Sequence, residues 1–216
     1  MRSPTRENAR HLKQLSMCRA KASVRAFLLN SSGVAAVEFA LLAPLLMLMT
    51  FGTFEITRAL IAHKRFQRAT AMVGDLVSRE KQIGSSEVDP KEVLKGMMVA
   101  AEYAMEPFSS TPLQMAIFQL RANSTDATKT TVEWSWSQPD LPITKCPNEK
   151  PMPAPNMISK GDAAIVIEAR YTYEPFLANI VPGLATTMTW SDTMTFAPRW
   201  GSVFYGQDSL NTDCPP

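Results

Sequence analysis

From Val34 to Phe54 the chain is apolar and carries a single charge, Glu38. The run has about the roughly 20 residues that a membrane-spanning helix needs. An ionisable group inside such a run is costly in lipid and is read by default as functional. Past Phe54 the pattern changes. Ile56, Leu60, His63, Phe66, Thr70, Val73 and Val77 recur on one helical face, with Arg58, Lys64, Arg65 and Arg68 largely between them. No strong breaker separates the two patterns, although Gly52 and Gly74 are each a place to bend. The spacing predicts one long helix over 34–80, in the membrane to about residue 58 and amphipathic after it. At about 1.5 Å per residue it is roughly 70 Å long.

A linker follows at Gly84-Ser85-Ser86. Asp89 then fits an N-cap, Pro90 the first helical position, and Glu92 the return arm of a capping box. Val93, Met97, Ala101 and Ala104 are the expected buried face of this second helix, and Pro107 falls just past its end. The remainder reads as strands. Val132, Trp134 and Trp136 alternate with polar residues. So do Ile165, Ile167, Ala169, Tyr171 and Tyr173, and later Met188, Trp190, Met194 and Phe196. Asp192 interrupts the last series and marks an expected bulge or interface. A further strand over Leu113–Leu120 alternates poorly. Four strands in two antiparallel pairs, with the second half of the long helix packed on them, give an α+β fold. Residues 138–160 hold Pro139, Pro142, Pro147, Pro151, Pro153 and Pro155, which excludes helix or central strand. A loop that long is expected to be exposed and functional, or pinned.

Charge adds topology. Before Gly33 lie Arg2, Arg6, Arg10, Lys13, Arg19, Lys21 and Arg25, opposed only by Glu7. Positive charge beside an apolar segment tends to stay in the cytoplasm. This places residues 1–33 as a cytoplasmic leader and 81–216 as a periplasmic α+β domain. A nucleic-acid arm is the rival reading of the tail, but no stacking aromatics interleave its charges, and no nucleic acid is expected. An ordinary secretory signal peptide fits poorly, because the apolar run exceeds the usual length of about 7–15 residues and no clear A-x-A site follows it.

The side-chain chemistry is sparse. The histidines are His11, in the leader, and His63, beside the membrane. No H-E-x-x-H, Walker loop or G-x-G-x-x-G appears, so neither an enzyme, a metal nor a cofactor is expected. Trp134 and Trp136 fit a sugar platform as well as sheet packing, the latter better. Cys18 lies in the leader. If the C-terminal part is periplasmic, Cys146 and Cys214 are able to pair; two free thiols are the alternative. Neither has a partner at zinc-ligand spacing. A bridge across nearly 70 residues stabilises by roughly 4 kcal/mol on a chain-entropy estimate.

The segment from Gly33 to Asp75 resembles the TadE-like minor pseudopilins of the Tad (tight adherence) pilus system. Its core is Gly33-Val34-Ala35-Ala36-Val37-Glu38-Phe39-Ala40-Leu41 with Pro44, then Gly52, Glu55 and Arg58. The strand pair at 162–198 carries a weaker likeness. The resemblance implies cutting by a prepilin peptidase between Gly33 and Val34, with Glu38 at mature position five. Phe39 stands where the family often has Tyr. The partners implied are the peptidase, other minor pseudopilins, the major pilin, an inner-membrane assembly platform and membrane lipid. Chemistry agrees with this. Glycine lets a backbone lie extended in a protease cleft, and cutting frees an amine on Val34 that Glu38 of a neighbouring subunit can meet. A plainer alternative is that Glu38 and Glu55, about 25 Å apart along a helix, mark the two membrane interfaces. An uncleaved, signal-anchored periplasmic binding module is the rival function.

Overall fold

A computed structural model of the chain describes residues 31–126, 128–137, 141–144, 148–153, 157–176 and 187–206. The leader to residue 30, Cys146 and Cys214 lie outside the described residues, and with them the expected disulfide. The chain divides into two units, Met1–Phe54 and Glu55–Pro216.

The first helix, α1, spans Ser31–Arg79 and contains Pro44. It stays helical through both Gly52 and Gly74, so the expected single helix forms. In the first unit its side chains are exposed on every face from Gly33 to Phe54, apart from half-buried Ala43 and Gly52. A helix apolar all round belongs in a nonpolar surrounding. The stretch from Gly33 is long and apolar enough to cross a membrane. Its hydroxyls are satisfied internally: Thr50 Oγ1 donates to the Leu46 carbonyl and Thr53 Oγ1 to the Met49 carbonyl, each at 2.8 Å. In lipid an unpaired hydroxyl is expensive, so this back-bonding is what an apolar setting demands.

The second unit is built on an antiparallel sheet of order β3-β2-β4-β5. The strands are β2 (Leu113–Ala122), β3 (Thr130–Ser137), β4 (Ala163–Tyr173) and β5 (Met188–Phe196). β1 (Gln82–Ile83) and β6 (Phe204–Tyr205) form a separate two-residue parallel pair. α2 spans Pro90–Met105. One face of the sheet packs Met115, Ile117, Trp134, Ile165, Ile167 and Tyr171 against Phe66, Val73 and Val77 of α1 and Leu94, Met98 and Met105 of α2.

Four expectations need correction. The α1 stripe is displaced at its start: Ile56 and Leu60 are 65% and 58% exposed, while Glu55, Ala62 and Ala69 turn inward. The α2 face is displaced by one residue, to Leu94, Met98, Ala101 and Met105, with Val93, Met97 and Ala104 half-buried beside it. Asp89 caps α2 by accepting from the Lys91 amide at 2.8 Å, but Glu92 turns away to Lys95 rather than closing a capping box. The bulge is not at Asp192, which sits in regular register opposite Ala169. It lies between Gln119 and Leu120, where the β2–β3 register shifts. That shift makes Glu133 an extra residue. Val132 consequently packs on the opposite face from Trp134 and Trp136.

β2 alternates poorly because it is buried on both sides. Ala116, Phe118 and Leu120 join Val132 and Val166 under Leu141, Ile143 and Met152 of the proline-rich stretch. Its described parts are pinned rather than free. The Val132 amide donates to Asn148 and the Lys150 amide to Thr130, both at 3.1 Å. Lys150 Nζ lies 2.7 Å from Glu168 and 4.3 Å from the Phe118 ring centre. The described part of this cover meets β3 at one antiparallel bridge, Thr131 opposite Glu149, while its apolar residues seal the face.

Candidate functional site

The residues singled out by sequence fall into two groups. Gly33, Val34, Glu38, Phe39 and Pro44 lie on the first-unit part of α1. Gly33 lies within α1. A Cβ at Gly33 would meet nothing within 4 Å, so the folded helix itself sets no steric demand for glycine there. Val34 is 60% and Phe39 67% exposed, and Glu38 is exposed among apolar neighbours. Pro44 lacks the amide that would bond one turn back.

Glu55 and Arg58 belong to the second unit and behave differently. Glu55 is 9% exposed and accepts a 2.6 Å hydrogen bond from the Tyr173 hydroxyl of β4. It is thus an anchor of α1 on the sheet. Burial, then the bond to Glu55, pushes the Tyr173 phenol well above its ordinary range. Trp190 of β5 stacks on the Tyr173 ring, 5.4 Å between centres and 15° between planes. Its edge meets His63 at 5.0 Å, which gives His63 a packing role. The Arg58 guanidinium lies 5.8 Å from the Phe108 ring centre and 5.7 Å from that of Phe176. Arg58, Phe108, Tyr173, Glu174 and Phe176 line a cleft of about 410 Å³. Among the described residues no group of three His, Cys, Asp or Glu side chains is placed to hold a metal.

The deciding feature is continuity: one helix carries the glycine, the lone Glu38, the all-apolar stretch and the Glu55 anchor. The chain carries a TadE-like segment. The family model described as TadE-like protein matches residues 33–75, which is about a fifth of the chain. No curated protein and no solved structure matches it significantly. The TadE-like segment stops at Asp75, within α1, and includes neither α2 nor the sheet.

Sequence reasoning missed the residues that fix the C-terminal strand. The Val203 amide donates to Gln119 Oε1 at 2.7 Å, and Trp134 Nε1 donates to the Val203 carbonyl at 2.9 Å. Gln119 Nε2 donates in turn to Glu133 at 2.5 Å, and Glu133 also pairs with Arg121. The one signal in the sequence was Gln119 itself, a polar residue inside the apolar run of β2.

Proposed function

We propose that this protein is a TadE-like minor pseudopilin, a structural and assembly component of a Tad-type pilus. It is inserted in the bacterial inner membrane with its N-terminus cytoplasmic and the α+β unit periplasmic. A prepilin peptidase removes the leader after Gly33. The protein then acts by helix–helix association, with the α+β unit facing other minor pseudopilins and the major pilin on the assembly platform. The match at residues 33–75 carries this reading. The exposed apolar helix supports it, because such a surface needs lipid or neighbouring helices to cover it. In this reading Glu38, five residues after the glycine, meets a neighbour's new Val34 amine. That pairing offsets the cost of a carboxylate in lipid, about 2.5–3.5 kcal/mol on insertion scales for Asp at a helix centre.

The test is the N-terminal residue of the membrane-extracted protein, read by intact mass from a strain with an active prepilin peptidase. A chain beginning at Val34 is expected, and Gly33→Ala should leave the leader in place. A parent chain still beginning at Met1 removes the processing claim and favours an uncleaved anchor. Glu38→Ala should be cut normally yet fail to support piliation; normal piliation would take Glu38 out of assembly.

A further inference from the structure

The outward face of α2 is apolar at its centre and acidic at its end. Val99 is 45% and Tyr103 68% exposed, one turn apart. With Glu102, Glu106 and Phe108 they line a cleft of about 420 Å³. Gly96, one turn before, has nothing within 4 Å of where its Cβ would be, so the face stays low there. The nearby cations are engaged: Lys95 pairs with Glu92, and Arg65 donates to the Ala104 carbonyl at 3.4 Å.

The exposed side of α1 carries the complementary pattern. Leu60, Lys64, Arg68 and Met72 follow one another at four-residue steps and are all exposed. Among the described residues neither Lys64 nor Arg68 makes an ion pair. Four residues rise about 6 Å along a helix, so the two cations have the spacing of the two carboxylates, Glu102 and Glu106. Rows at four-residue steps are also the ridges that interdigitate when two helices pack.

From this match we propose that the α2 cleft docks the Leu60–Met72 row of α1 from a second copy of the chain. With Lys64 and Arg68 facing Glu102 and Glu106, the next residue of the row, Leu60 or Met72 according to its direction, lies beside Val99, and the methylene stems of the two cations cover Tyr103. These apolar contacts supply most of the burial, and the charges set register and exclude wrong partners. The two patches are different surfaces of one chain, so the contact is head-to-tail, and it closes into a ring or continues as a fibre. This contact goes beyond processing and anchoring, and it does not depend on cleavage after Gly33.

The experiment uses the full chain in detergent-solubilised membranes, with the photocrosslinker p-benzoylphenylalanine at position 103 and isotopically heavy and light copies mixed. The expected product joins light residue 103 to a heavy α1 peptide within residues 56–72. Crosslinks confined to one chain, or formed only with other envelope proteins, overturn the proposal. Charge reversal then tests the register. A copy with E102K and E106K, and a copy with K64E and R68E, should each lose intercopy crosslinking about tenfold when alone. Mixed together every facing pair is attractive again, and crosslinking should recover to near the parent level. Failure to recover, with each variant showing the parent's circular dichroism and melting transition, overturns the pairing of these rows. If a reversal variant does not fold, the crosslink on the otherwise unaltered chain decides alone.

Discussion

Two glycines in helices separate close approach from mere absence of a side chain. A Cβ on Gly74 would fall 2.0 Å from Phe196 Cε2, whereas one on Gly96 would meet nothing within 4 Å. Alanine gains about 1 kcal/mol over glycine in a helix interior. Overpacking a core contact costs about 1–3 kcal/mol. Gly96→Ala should therefore stabilise by about 0.5–1 kcal/mol, and Gly74→Ala should destabilise by about 1 kcal/mol or more, both read from urea midpoints. Equal shifts for the two would mean that Phe196 moves aside freely. Tyr205 supplies the pH term. Burial, then the nearby Asp89 charge, raises its phenol from 10.0 to about 12. Between those values the unfolded chain has released this proton and the folded chain holds it. The unfolded state then binds fewer protons, so stability falls as pH rises. The contribution is intact below about pH 10 and is lost toward pH 12. Tyr173 and Tyr171 are raised too and act in the same sense. Tyr205→Phe should flatten part of that slope in denaturation curves taken across pH 9–12. An unchanged slope would place the alkaline loss at the other tyrosines.

At the level of elements, β6 is held by side chains more than by its own ladder, which is two residues long. Gln119 and Trp134 grip both backbone groups of Val203, and Trp134 is tilted against Tyr205 at 5.5 Å. Gln119→Leu leaves the buried Val203 amide without its acceptor, a cost of about 1–3 kcal/mol. Hydrogen exchange should quicken at Val203 and Phe204 while the β2–β4 ladder keeps its protection. Uniform quickening through the sheet would mean that the grip stabilises the whole unit. The elements themselves were largely legible in sequence. Period 3.6 found both helices, and alternation found β4 and β5. The bulge at Gln119 was not legible, because a one-residue slip leaves each strand's composition unchanged. The poor alternation of β2 had a tertiary cause, a second cover made by Leu141, Ile143 and Met152.

On the scale of the molecule, the division falls at Phe54 and Glu55, within one helix. Among the described residues the hydrophobic core of the second unit begins at Ala59, and its anchor is Glu55 on Tyr173. A chain of residues 55–216 should accordingly fold and stay in the aqueous phase, with mixed helix and strand circular dichroism. The full chain should partition with detergent. Aggregation of the shorter chain, without a cooperative melt, would show that the unit needs the apolar helix.

The sequence by itself determined the apolar helix, its lone Glu38, the glycine five residues before it, and the α+β class. These are periodic or local signals, written in consecutive residues. Only the tertiary structure decided that Glu55 is an anchor, that Val132 and the Trp134–Trp136 pair face opposite ways, and that the Leu60 row stays outside. Those outcomes depend on which distant residue arrives opposite: Tyr173 beside Glu55, Leu120 beside Val132, and Phe196 against Gly74. A chain fixes its own periodicity locally, but burial is a property of pairs brought together by the fold.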